Sequence, residues 1–187
     1  MSTARARRIA WGITGSGDKI RETVALMEEL IETNNLEVHV YLSKEGEVVL
    51  KFYRLLNELK QVFPKVTAEH GPNAPFLSGK LQMGTYSLFL IAPATANTVA
   101  KIACGIADSL ITNSAAQAMK VNVPVYIYPV DQQEGELVTK LPDGRDLKLR
   151  IRKVDVENVE RLRLMDGITV LDRLEDFVTV VKQLYQE

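Results

Sequence analysis

The stretch Ser87–Thr112, SLFLIAPATANTVAKIACGIADSLIT, constrains the fold more than any other part of the chain. Its first residues, Ser87-Leu88-Phe89-Leu90-Ile91-Ala92, are almost wholly apolar, the pattern of a strand covered on both faces. Pro93 ends that run with a sharp turn. Thr95-Ala96-Asn97-Thr98 then supply small and polar side chains, and Val99–Cys104 reads as a helix. In open α/β sheets, ligands bind at turns of this kind, beyond the carboxyl ends of strands. Small side chains let a flat ligand approach the backbone. Asn97 offers a donor and an acceptor, and Thr95 and Thr98 offer hydroxyls. The same residues also make a well-capped helix start, so spacing alone leaves both readings open.

The rest of the chain repeats the strand–turn–helix pattern. Arg8–Thr14 reads as the first strand, followed by Gly15-Ser16-Gly17-Asp18 and a helix with Ile20, Val24, Met27 and Ile31 near a 3.6-residue period. Asp18 is the expected N-cap of that helix. Glu37–Leu42 is the second strand, with Val38, Val40 and Leu42 on one face and His39 and Tyr41 on the other. His39 therefore reads as a packed histidine. Gly46–Leu59 reads as one helix with Val48, Val49, Phe52, Leu56 and Leu59 inward. Lys65–Glu69 is a short third strand. The remainder of 62–84 is broken by Pro64, Pro72, Pro75, Gly71, Gly79 and Gly84 and reads as a long loop covering a site.

Val123–Tyr128 is another strand, and Glu136–Ile151 a hairpin turning at Pro142-Asp143-Gly144. A helix over Asp155–Leu164, a strand at Ile168–Leu171 and an amphipathic helix over Arg173–Leu184 complete the chain. The alternation predicts an α/β fold. Its core is a doubly wound, mostly parallel six-stranded sheet in the order 3-2-1-4-5-6, with the hairpin inserted near the C-terminal end. One domain over residues 1–187 is the expectation from length.

Three loops fall at carboxyl ends of strands: Gly15–Gly17, Ser43–Lys44 and Pro93–Thr98. A glycine turn leading into a helix suits a phosphate, because free N–H groups and the helix dipole favour an anion. No GK[ST] follows, and the GxGxxG pattern is incomplete. This argues against a nucleoside triphosphate and against a dinucleotide. A phosphate monoester with a flat ring remains, and FMN fits, as does AMP. Val130 lies beyond the strand ending at Tyr128 and joins the same edge. Trp11, Tyr126 and Tyr128 are aromatic candidates beside a ring, and each reads more readily as a core residue.

Composition excludes other classes. The net charge of −1 gives no global basic field for nucleic acid. No apolar run reaches the roughly 18 residues of a membrane span. Cys104 is the only cysteine, which excludes an internal disulfide and a cluster held by about four thiolates. It lies among Ile102, Ala103 and Ile106 and reads as buried. His39 and His70 do not approach the roughly four ligands of a zinc site. Arg5, Arg7 and Arg8 form a small basic cluster without the apolar run of a signal peptide, and a cytoplasmic location is expected.

Pro93-Ala94-Thr95-Ala96-Asn97-Thr98 resembles the PASANT motif of the homo-oligomeric flavin-containing cysteine decarboxylases. Ala100–Ala103 and Gly105–Thr112 resemble that family's continuation, and Gly15–Gly17 matches its phosphate loop in place and type. The resemblance covers roughly residues 8 to 130. It implies a Rossmann-like FMN domain with cofactor contacts at Gly15, Ser16, Gly17, Ser43, Lys44, Pro93, Ala94, Thr95, Ala96, Asn97, Thr98 and Val130. It also implies a homo-oligomer, a trimer or a multiple of trimers, with flavin near the subunit interface.

Two departures separate the chain from the decarboxylases. Gly79 stands where they carry an essential histidine, and Pro129-Val130-Asp131-Gln132-Gln133-Glu134 replaces their PxMNxxMW substrate clamp. The chain is similar to the archaeoflavoprotein group of archaeal flavoproteins. It shares ATANTVAKI with the related acceptor-dependent dihydromethanopterin reductases. These resemblances imply an FMN redox protein with a ferredoxin-like electron donor and an unidentified acceptor. The alternative is a pterin reductase with a second ring near Gly71–Gly84 and Tyr128–Gln133. A decarboxylase with displaced groups comes third. The basic hairpin, with Lys140, Arg145, Lys148, Arg150 and Arg152, is a docking face for an acidic donor, a solvated hairpin or an oligomer contact.

Overall fold

In the computed structural model, which describes residues 7–184, six parallel strands form one sheet. Arg5 of the basic cluster lies outside the described residues. The strands are β1 (Arg7–Ile13), β2 (Leu36–Leu42), β3 (Lys65–Ala68), β4 (Phe89–Ala94), β5 (Val125–Pro129) and β8 (Ile168–Val170). Their order is β3-β2-β1-β4-β5-β8. This is the expected 3-2-1-4-5-6 arrangement, with β6 (Gly135–Lys140) and β7 (Asp146–Ile151) set apart as the antiparallel hairpin. The strand order reverses between β1 and β4, from which the sheet grows outward in both directions, and this makes their carboxyl ends the switch point.

Alternating side chains of the strands feed two cores, one on each face. Ile9, Trp11, Val38, Val40, Leu88 and Leu90 pack under α1 (Ile20–Thr33), α3 (Leu56–Val62) and α8 (Asp176–Gln183). Ala10, Tyr41, Phe89, Ile91 and Ile127 pack under α4 (Leu77–Gln82), α5 (Ala96–Ala103), α6 (Leu110–Lys120) and α7 (Lys153–Arg163). The central strands β1 and β4 are thus buried on both sides, as near-continuous apolar runs require, while the edge strand β3 is only half-buried.

Three expectations are corrected. The helix foreseen over Gly46–Leu59 is two helices, α2 (Lys44–Phe52) and α3, broken where Arg54 adopts φ 63°. That break turns Val48 and Phe52 outward, 56% and 63% exposed, instead of into the core. The segment foreseen as a long loop over 62–84 contains α4, whose Leu77 and Leu81 are fully buried. Pro93 lies inside β4 after a cis Ala92–Pro93 bond, so the strand runs on to Ala94.

Candidate functional site

The β1, β2, β4 and β5 loops meet at the carboxyl edge of the sheet. Thr14 ties two of them together. Its hydroxyl donates to the Pro93 carbonyl at 2.8 Å and accepts from the Thr95 N–H at 2.9 Å. The Val130 N–H bonds the Ala94 carbonyl at 3.1 Å, and the Ser43 N–H bonds the Ile13 carbonyl at 3.0 Å. Each bond joins neighbouring strands just past their last ladder contacts, so the edge is one braced surface.

A cavity of 340 Å³ opens there, lined by Gly15, Ser16, Gly17, Thr95 and Val130 of the expected site. Its volume lies within the roughly 300–1,000 Å³ of small-molecule sites. Val49 and Phe52 of α2, with Tyr53 just beyond, form one apolar wall. Leu137, Thr139, Leu147 and Leu149 form the opposite one. In the hairpin register Leu137 faces Leu149 and Thr139 faces Leu147, so all four share one side. The hairpin is pinned over the edge by Thr139, whose hydroxyl donates to Asp18 Oδ1 at 3.0 Å, and by Tyr53, whose hydroxyl donates to the Lys140 carbonyl at 2.9 Å.

The other expected residues sit at the same edge in different roles. The Thr95 hydroxyl caps α5 by accepting from the Thr98 N–H, and Thr98 is buried. Asn97 is exposed and outside the cavity lining. Ser43 caps α2 by accepting from the Gly46 N–H at 2.9 Å. The Lys44 N–H goes to Glu69, whose other carboxylate oxygen accepts from Leu110 N–H at the start of α6. Gly15 and Gly17 are required by their neighbours. An added β-carbon would lie 2.6 Å from Glu45 Cβ and 2.4 Å from the Tyr53 hydroxyl, respectively.

Asp18 does not cap α1. The helix is entered through Lys19 at φ 59° with no side-chain cap, and the Asp18 carboxylate turns to Thr139 instead. Cys104 is exposed, not buried. Gly105, at φ 73°, ends the helical path and leaves residues 104–108 on the surface. His39 is packed as expected, between the Tyr86 hydroxyl at 2.8 Å and the Glu37 carboxylate at 2.6 Å. Trp11 is a core residue, and Tyr126 and Tyr128 pack partly buried against the same core. The loop Gly71–Gly84 contributes nothing to the cavity lining.

Sequence reasoning missed Thr14, Tyr53 and the hairpin wall. Thr14 had a readable signal, as a hydroxyl directly before the glycine turn. The apolar period-2 pattern of Leu137, Leu147 and Leu149 had one as well.

Two carboxylates, Asp18 and Asp131, also line the cavity. Burial pushes the Asp131 carboxyl above the ordinary range. Asp155 and Asp18 add to the effect, while the Ala96 N–H and Arg152 oppose it. A carboxyl with a raised folded-state pKa binds its proton more tightly when folded. Its ionisation therefore removes stability as pH climbs from the ordinary carboxylate range through the folded value. Asp131→Asn keeps an acceptor for the Ala96 N–H and abolishes that cost. The variant is expected to melt at a higher temperature than the parent at neutral pH, with the gap closing in acid. Identical melting at neutral pH would contradict this.

A model of the Flavoprotein family matches residues 2–183. The chain is 58% identical over 174 residues to Uncharacterized protein MJ0730 of Methanocaldococcus jannaschii, covering 93% of this chain and 94% of that one. It is 31% identical over 225 residues to the dihydromethanopterin reductase (acceptor) of the same organism, covering 88% and 91%. Burkholderia xenovorans DmrB, solved in complex with FMN and described as a cubic protein cage for redox transfer, superimposes with a TM-score of 0.83. It is 34% identical, with 98% of this chain and 97% of that one covered. With the family's match running through almost every described residue, the chain belongs to the Flavoprotein family.

Proposed function

We propose that residues 1–187 form a single FMN-binding redox unit that takes electrons from a protein donor such as ferredoxin and passes them to a further acceptor. The observation carrying this reading is the switch-point cavity, where the glycine loop, the start of α5 and Val130 converge between apolar walls. The fit to FMN is chemical. Val49, Phe52, Val130, Leu137, Leu147 and Leu149 offer flat apolar contact for a ring. The N–H groups of Gly15 and Gly17, the Ser43 hydroxyl and the Lys44 ammonium at the adjacent α2 start offer donors and a positive charge for a phosphate, while the buried Ser16 hydroxyl donates to the Asp18 carbonyl. Pro93, Ala94, Thr95, Ala96, Asn97 and Thr98 form the ring-side edge of the site.

FMN, when bound, supplies the electron chemistry, and the protein positions and tunes it. Thr14 fixes the distance between the glycine loop and Thr95. The hairpin wall sets an apolar face against one side of the cavity. The exposed Val48, Phe52, Leu147 and Leu149 give the rim an apolar surface that a second subunit would cover in a trimer or a multiple of trimers. DmrB, named as a cage, supports that assembly. The outer hairpin face retains Lys148 and Arg150 for an acidic donor, whereas Lys140, Arg145 and Arg152 are paired with Asp146, Asp143 and Asp155. Among the described residues no helix is long and apolar enough to cross a membrane; a cytoplasmic site of action belongs to this reading.

The test is a titration of the purified protein with FMN, then anaerobic addition of reduced ferredoxin. A flavin spectrum that survives gel filtration and bleaches with ferredoxin is expected. A protein that stays colourless overturns the reading. A pterin reductase is the second reading, favoured by the 31% identity to dihydromethanopterin reductase over 88% of the chain. Reoxidation of the reduced protein by a dihydropterin, without oxygen, would select it. A decarboxylase is disfavoured at Gly79, where an added β-carbon would lie 1.9 Å from the Phe76 ring. A histidine there requires that ring to leave.

A further inference from the structure

Behind Tyr53 lies a second space that the flavin reading does not use. It measures 580 Å³ and is walled by Arg21 of α1, the α2–α3 corner at Phe52–Leu55, and the hairpin turn at Leu141–Arg145. A narrower groove of 290 Å³ runs from Gly17 and Lys19 past Arg21 to Leu141. Tyr53 lines both of these and the 340 Å³ cavity, so one side chain separates three neighbouring spaces.

The chemistry changes sign across Tyr53. The inner cavity presents Asp18 and Asp131 and no basic side chain. The outer one presents Arg21, Arg54 and Arg145 above an apolar floor. Its carboxylates are Glu58 and Asp143, and Arg145 already holds Asp143 at 2.7 Å. Among the described residues, neither Arg21 nor Arg54 has an ion-pair partner. The Arg21 guanidinium stacks over the Tyr53 ring at 5.8 Å and donates one hydrogen bond to the Tyr53 carbonyl at 3.1 Å. Its plane is thereby fixed while its other N–H groups stay available.

Backbone conformation points to the same place. Lys19, Arg54 and Asn122 are the non-glycine residues at positive φ among those described. Asn122 is ordinary there, since asparagine is enriched in that region. The two basic residues are not: Arg54 borders this space and Lys19 the adjoining groove. Strain of this kind clusters at ligand clamps. Glycine would satisfy the Arg54 backbone at no steric cost, yet the position carries a guanidinium.

We infer that the cavity between Arg21, Arg54 and Arg145 is an oxyanion site, taking the carboxylate or phosphate group of a small ligand distinct from the one in the inner cavity. The planar guanidinium forks match both groups in bidentate geometry. The inference stands on the cavity, its unpaired arginines and the Arg54 backbone, and is independent of flavin.

Calorimetric titration of the full chain with glutarate, and separately with inorganic phosphate, tests it. Saturable binding of at least one anion is expected, and the tighter one identifies the group. Arg54→Gly removes the guanidinium while suiting the left-handed backbone, so the fold is retained. Arg54→Gln removes the charge and leaves the backbone as it is. Both variants are expected to bind about tenfold more weakly or worse. No saturation with either anion, or unchanged affinity in both variants, overturns the site. FMN absorbance read on the same samples separates the two proposals: anion binding without flavin uptake sinks the flavin reading alone, and flavin uptake without anion binding sinks this one alone.

Discussion

Trp11→Ala is expected to cost the protein a large share of its stability. The indole is fully buried in the middle of β1 and meets the Phe63 ring edge-on at 5.4 Å. Its Nε1–H donates to the Ala92 carbonyl at 2.7 Å. Truncating a buried tryptophan costs about 3–5 kcal/mol. An orphaned buried carbonyl costs about 1–3 kcal/mol within the same event. Whole domains hold about 5–15 kcal/mol in total, so a large share of the margin is consumed. Trp11→Phe keeps most of the packing and loses the hydrogen bond, and is expected to fall by about 1–3 kcal/mol. Urea unfolding followed by circular dichroism measures both. A loss below about 1 kcal/mol for the alanine variant would show that the core closes over the space. The Ala92 carbonyl stands next to Pro93, so the lost bond also loosens the turn that carries Thr95.

The central strands β1 and β4 were legible because burial on both faces leaves no polar alternation to confuse them. Both announce themselves as apolar runs followed by turns of small residues, and β2 shows itself by its two-residue alternation. The order of the sheet followed from the βαβ connections and the handedness rule. What escaped lay where one residue's backbone decided the outcome. The pattern from Val48 to Leu59 is continuous on paper, and only the left-handed Arg54 divides it and turns Phe52 to the surface. α4 was hidden because Gly79 and flanking prolines read as loop, while its Leu77 and Leu81 sit one turn apart in the core. The candidate site was legible as a set of loops and illegible as a cavity. Its apolar walls come from α2 and a hairpin far along the chain, brought together by Tyr53–Lys140 and Thr139–Asp18. Gly15 and Gly17, which read as a phosphate loop, also make room for Glu45 and Tyr53, a requirement that glycine in a turn does not announce.

Gly46→Ala sets helix propensity against packing, and packing is expected to win. Within α2, alanine is favoured over glycine by about 0.5–1 kcal/mol. The added β-carbon, however, would lie 2.5 Å from the Ile13 carbonyl oxygen and 3.1 Å from its carbon. Those atoms belong to β1, a strand held on both sides by β2 and β4, so the helix must move instead. Overpacking of this kind costs about 1–3 kcal/mol, and a net loss of about 1–2 kcal/mol is expected from the difference. The displacement carries Ser43 and Lys44 away from Gly15, and Val49 away from the cavity it lines. FMN affinity is therefore expected to drop about tenfold, the equivalent of roughly 1.4 kcal/mol. Glu47→Ala, one position along, removes an exposed ion pair with Lys51 and should change stability by less than about 1 kcal/mol. Urea melts and quenching of FMN fluorescence on the three proteins decide the matter. A more stable Gly46→Ala with unaltered flavin binding would mean that α2 slides freely on β1, and that its first turn takes no part in holding the phosphate.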